Sequence, residues 1–88
     1  MAPKLPMLDQ MRANPRADWD INHVRTCCEQ NGIDLIPPTG GSHYKAKSPL
    51  LHGHLTVPAR RPIKAIYIRQ LVNMIDAHLT IVRGKKDS

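Results

Sequence analysis

The clearest pattern in the chain lies near its end. Ile68, Leu71, Val72, Ile75 and Leu79 fall at i, i+3, i+4, i+7 and i+11, the spacing of one apolar face on an α-helix. The pattern predicts a helix from about Ala65 to about Thr80, followed by a polar stretch from Gly84 to Ser88. A second helix is predicted over residues 21–31. Asp20 is a good N-cap, and Trp19 and Val24 have the spacing of a hydrophobic staple around it. Ile21, Val24 and Cys28 form its apolar stripe with Cys27 at the edge, and Gly32 supplies a left-handed stop.

Between the helices the period changes. Ile33 to Ile36 is a short apolar run that reads as a strand. Pro37, Pro38, Gly40 and Gly41 break it. Residues 42–48 read as a second strand and His54 to Val57 as a third, with Pro49 and Gly53 bracketing the turn between them. Residues 58–64 form a Pro-bounded basic loop. Upstream, Leu5, Leu8 and Met11 have the spacing of a short helix that Asn14-Pro15 ends. The expected organisation is an N-terminal extension over 1–17, one domain over 18–82 and a disordered tail over 83–88.

The order helix, strand, strand, strand, helix predicts an α+β fold. Each helix has one apolar stripe, so both should cover one side of a three-stranded antiparallel sheet. The other side stays open to solvent. This α-β-β-β-α arrangement is dsRBD-like, one way to build a double-stranded-RNA-binding domain.

Strand side chains alternate between faces. If Tyr44, Ala46, Leu55 and Val57 face the helices, the open face displays His43, Lys45, Lys47, His54 and Thr56. A histidine between cations on an exposed sheet suits RNA chemistry. Neutral imidazole can accept a proton near neutral pH, and lysine can neutralise the phosphate and the charge that builds on it. RNA brings its own nucleophile, the 2′-hydroxyl, so no metal is required and DNA is spared. Ser42 can donate to a phosphate oxygen. The plain alternative is a surface histidine on a basic strand, with Ser42 capping a turn. His52 and His54 have H-x-H spacing, but zinc usually takes three or four protein ligands, and no acid is near in sequence. The expected cofactor is none, and no metal site is assigned.

Charge strengthens this picture. The 88 residues hold 13 Lys and Arg against 7 Asp and Glu. No acid occurs from Leu35 to Ile75, while Lys45, Lys47, Arg60, Arg61, Lys64 and Arg69 all lie there, a field that attracts polyanions. Arg60, Arg61 and Lys64 join Ser42, Lys45 and Lys47 as candidate RNA contacts. Phe is absent, so aliphatic side chains must carry the core. Cys27 and Cys28 are adjacent, and helical neighbours point about 100° apart, so a disulfide between them is not expected. That points to a reducing, cytoplasmic compartment. No signal peptide is expected, since Pro3, Lys4 and Pro6 interrupt the start. No segment approaches a membrane span.

The stretches GGSHYKAKSP (40–49) and LTVPARRPIKAIYIRQLV (55–72) resemble the HicA family of toxin–antitoxin ribonucleases. That family's pattern is a Gly-Ser-His turn into a strand, a strand ending in Val-Pro, a basic Pro-Ile-Lys loop and a closing helix. MRANPRADWDI (11–21) resembles the N-terminal extension of one branch of that family. The resemblance spans about residues 8–79 and departs at Ala65, where many relatives have proline. It implies a toxin that cleaves mRNA without a metal, is held inactive by a HicB-type antitoxin protein, and has its catalytic histidine at His43. The alternative is a non-catalytic dsRBD-like RNA-binding module or an inactive relative.

Overall fold

Strand β2, His43–Lys47, is the centre of the sheet. It pairs antiparallel with β1, Asp34–Ile36, on one side and with β3, Leu55–Pro58, on the other. Helices α1, Met7–Ala13, and α2, Ile21–Asn31, precede the strands, and α3, Ala65–Asp87, follows them. The computed structural model describes residues 6–87, so Leu5 and Ser88 lie outside the described residues. The fold is α+β, with three helices and a three-stranded antiparallel sheet among those residues.

Register shows why the sheet has two unlike faces. Leu35 lies opposite Ala46, and Ala46 opposite Leu55, while Tyr44 lies opposite Val57. Ala46 and Val57 are buried with Val24, Cys27 and Cys28 of α2 and Ile68, Leu71, Val72 and Ile75 of α3. On the other face Ile36 lies opposite Lys45 and Lys45 opposite Thr56, and all three are exposed.

Helix α2 has the predicted bounds, and its cap explains why. The Asp20 carboxylate accepts from Asn22 N and His23 N at 2.9 and 3.1 Å, and His23 Nδ1 accepts from Asp20 N at 3.0 Å. These bonds satisfy amides that the helix start leaves unpaired. Gly32 ends the helix at φ 75°, a left-handed conformation glycine adopts without steric cost. Its buried stripe is Val24, Cys27 and Cys28, so Cys27 is central rather than marginal, and Ile21 is only half-buried.

Helix α3 runs to Asp87 instead of ending near Thr80. Ile81 and Val82 continue the chain with no proline, and a lone Gly84 costs about 1 kcal/mol in a helix, too little to stop it. The tail expected over 83–88 is therefore helical as far as Asp87. His54 lies just outside β3, which begins at Leu55.

The N-terminal segment is integrated into the core rather than appended to it. Leu8 and Met11 are buried with α2 and α3 residues. Arg12 Nη2 donates to Asp76 Oδ1 of α3 at 2.7 Å, and Arg12 Nη1 donates to Oδ2. That hydrogen bond, outweighing the desolvation cost, holds the Asp76 carboxyl below its ordinary value. The pair therefore supports α1 above the carboxylate range and loses its effect as pH falls through the folded-state pKa. Trp19 Nε1 donates to Asn14 O at 2.8 Å, and Ile63 N donates to Trp19 O at 2.9 Å. These bonds link the α1–α2 connection to the loop before α3.

Ser48 and His78 are buried although polar, at 1% and 5% exposure. Ser48 Oγ and His78 Nδ1 share a hydrogen bond of 2.7 Å, and Ser48 Oγ accepts from Leu50 N at 3.0 Å. The pair joins the end of β2 to α3. Ser48→Ala leaves a buried ring nitrogen unpartnered, a loss of about 1–3 kcal/mol. Urea unfolding should show a lower midpoint with an unchanged slope. Wild-type stability in this variant would mean that water replaces the hydroxyl.

Candidate nucleic-acid interface

Gly41 turns the chain into β2 at φ 82°, in the left-handed region that L-residues avoid. Ala59 N donates to Ser42 O at 2.8 Å, extending the β2–β3 ladder one step beyond the His43–Pro58 pair. His43 thus leaves the end of a strand paired with β3, not a free loop. Its side chain is exposed.

The loop after β3 closes around this end. Ile63 is buried at 2% exposure and anchors the loop in the core. Pro62 and Lys64, its neighbours, line a cleft of about 200 Å³ with His43, Pro58, Arg60 and Tyr67. The fold thus gathers His43, Arg60 and Lys64, three of the candidates chosen from sequence, around one recess. Tyr67 was not among those candidates. It is one helical turn after Lys64 and outside the apolar α3 stripe, so the sequence carried no signal for it. Tyr67 packs partly against the core and also lines the recess.

Arg61 is placed differently. Its Nη2 and Nε donate to Asp18 at 2.7 and 3.1 Å. Those bonds hold the Asp18 carboxyl below its ordinary value and leave Arg61 outside the lining of the His43 cleft. Sequence distance hid this pair, since the two residues are brought together only by the docking of the 59–64 loop on the α1–α2 connection.

Lys45 and Lys47 continue from His43 along the open side of β2, and both are exposed. Ser42 is exposed at the entry to the strand. Lys47 lies opposite Asp34, so folding brings an acid to a face that looked purely basic from residue 35 onward. His52 and His54 are both exposed in the turn region before β3. Among the described residues, no three His, Cys, Asp or Glu side chains converge in a way that could hold a metal ion.

Burial pushes the Cys27 thiol up to about 11 and the Cys28 thiol up to about 12, by desolvation that penalises the thiolate. Both are free and buried, and packing is their role. No helix among the described residues is long and apolar enough to cross a membrane. Comparison with family models, curated proteins and solved structures gave no match to this chain.

The arrangement puts an imidazole, two cations and a tyrosine around a recess smaller than the usual ~300–1,000 Å³ of small-molecule pockets. The two thiols should resist iodoacetamide at pH 8 in the native protein and react on adding urea, because the thiolate is the reactive form. Fast native alkylation, read by mass spectrometry, would contradict their burial.

Proposed function

We propose that this protein is a metal-independent endoribonuclease of the HicA toxin type, with His43 as general base. The observation that carries the proposal is the cleft in which His43 meets Arg60, Lys64 and Tyr67. The order of α2, three strands and α3 supports a dsRBD-like domain that meets RNA. The resemblance at Gly41-Ser42-His43 and at the Val57–Lys64 loop supports the toxin class. In that reading the target is mRNA, the protein acts in the cytoplasm, and a HicB-type antitoxin restrains it.

The chemistry follows from the residues. His43 takes the proton of the 2′-hydroxyl, and that oxygen attacks the adjacent phosphorus. The P–O5′ bond breaks, and the departing 5′ oxygen takes up a proton from water or from the His43 imidazolium, which otherwise returns its proton to solvent. The products are a 2′,3′-cyclic phosphate and a 5′-hydroxyl. Arg60 and Lys64 offset the charge that accumulates on the phosphoryl oxygens. Only the neutral imidazole accepts a proton. A single general base commonly contributes about 10²–10⁴-fold, so a slow enzyme is expected.

Cleavage should proceed in excess EDTA and leave a 5′-hydroxyl end. An RNA with one 2′-deoxy sugar at the cut linkage should resist there. His43→Ala should lose cleavage by at least about 10²-fold while keeping its circular dichroism spectrum, and should no longer arrest bacterial growth when expressed alone. A 5′-phosphate end, or equal activity in the variant, would overturn the role of His43.

RNA binding should fall steeply with salt, at a log–log slope of about −0.7 per phosphate contact on a single strand. Removing Lys45, Lys64 or Arg60 should each flatten the slope by a fraction of a unit. Asp18→Ala should steepen it by freeing Arg61. Binding that persists without cleavage would identify an RNA-binding module instead. Salt-independent binding would contradict both readings.

A further inference from the structure

A second recess lies at the other end of β2. It has a volume of about 610 Å³ and is lined by residues that include Asp34, Ile36, Lys47, Leu51 and His52. This volume is within the ~300–1,000 Å³ range of sites that hold a small organic group. Lys47 is on the same strand face as His43 and four residues further on, about 13 Å along the strand at ~3.3 Å per residue. Lys45 lies between them. An RNA backbone that follows these lysines from the His43 cleft arrives at this recess after a few nucleotides.

The lining has the chemistry of a base site. Ile36 is 44% exposed and offers an apolar surface, and His52 offers a ring on which a base can stack. Lys47 supplies a cation for the phosphate. Asp34 is the informative residue. An ionised carboxylate repels phosphate and only accepts hydrogen bonds, so its partner on RNA must be a donor: a ribose 2′-hydroxyl or an N–H on a base edge, and with the neighbouring sugars 2′-O-methylated only the base edge remains. Guanine presents its N1–H and N2–H side by side, matching the two oxygens of one carboxylate. Cytosine and adenine present a single amino group, and uracil a single imino group. No hydrogen bond or ion pair with another described residue occupies the Asp34 carboxylate.

We propose that the recess between β1 and the 48–53 turn is a base-reading subsite for a guanine a few nucleotides from the cleaved linkage. The proposal rests on the reading of the chain as a ribonuclease. The test uses oligonucleotides with a single ribose at the scissile position and 2′-O-methyl sugars elsewhere, with one guanine moved along an otherwise uridine-rich strand. Wild-type protein should favour guanine at one fixed offset by about tenfold in kcat/KM, the scale of a bidentate base contact. Inosine at that offset, which lacks the N2 amino group, should lose most of the preference, and so should Asp34→Asn. A preference unaffected by inosine and by Asp34→Asn, or no preference for guanine, would overturn the subsite.

A binding experiment separates this failure from failure of the ribonuclease reading. Fully 2′-O-methyl RNA with guanine at the chosen offset should shift the amide NMR signals of Asp34, Ile36, Lys47 and His52 more than its uridine counterpart does. Those shifts with no cleavage of ordinary RNA would overturn catalysis and support the subsite. Cleavage without them would overturn the subsite alone. No RNA binding at all would overturn both.

Discussion

The two-residue period of β2 is the constraint on which the rest depends. Tyr44 and Ala46 point to one side of the strand, and Ala46 is fully buried under the helices. Once that side is committed to the core, His43, Lys45 and Lys47 must point the other way. A slip of one residue would bury a lysine and expose the alanine, a loss no surface contact could offset. The charged face is therefore enforced by the core, and β2 holds it in line because it is paired on both edges.

The His43 cleft needs more than the strand. Its opposite wall is the 59–64 loop, and that loop is placed from behind. Ile63 goes into the core, its amide bonds to Trp19, and Arg61 grips Asp18. Trp19 in turn bonds back to Asn14, just past α1. The N-terminal helix thus acts on the cleft at a distance: it steadies the connection that steadies the loop. The Arg12–Asp76 pair locks the same helix to α3, whose first turn carries Tyr67 to the recess.

Folding also redistributes charge. Along the chain, the stretch from residue 35 to residue 75 is uniformly basic. In space, Arg61 is paired with Asp18, and Asp34 lies across the β1–β2 register from Lys47 without forming an ion pair with it. Arg60 and Lys64, which make no ion pair with a described acid, lie around His43, and Lys45 lies in the middle of β2. A face with a cationic entry and a mixed far end is better suited to a strand with a direction than to a polyanion held without orientation.

Most of the architecture was legible in the chain, because periodicity reports which side of an element meets the core. The bounds of α2 follow from Asp20 and Gly32, the α3 stripe from its spacing, and the exposed row on β2 from alternation. The placement of His43 and the basic loop around one recess came only from the fold. Three features were not legible. Tyr67 lies outside the apolar stripe and gave no signal of its own, since its place depends on the loop that comes to face it. His78 and Ser48 looked like ordinary polar positions, and only docking of α3 on the end of β2 buries them together. Arg61 and Asp34 looked like a free cation and a distant acid, and their neighbours come from remote parts of the chain. Periodicity carries the direction of a side chain relative to its own element. The identity of what it meets is set by the packing of elements far apart in sequence, and only the tertiary structure decides that.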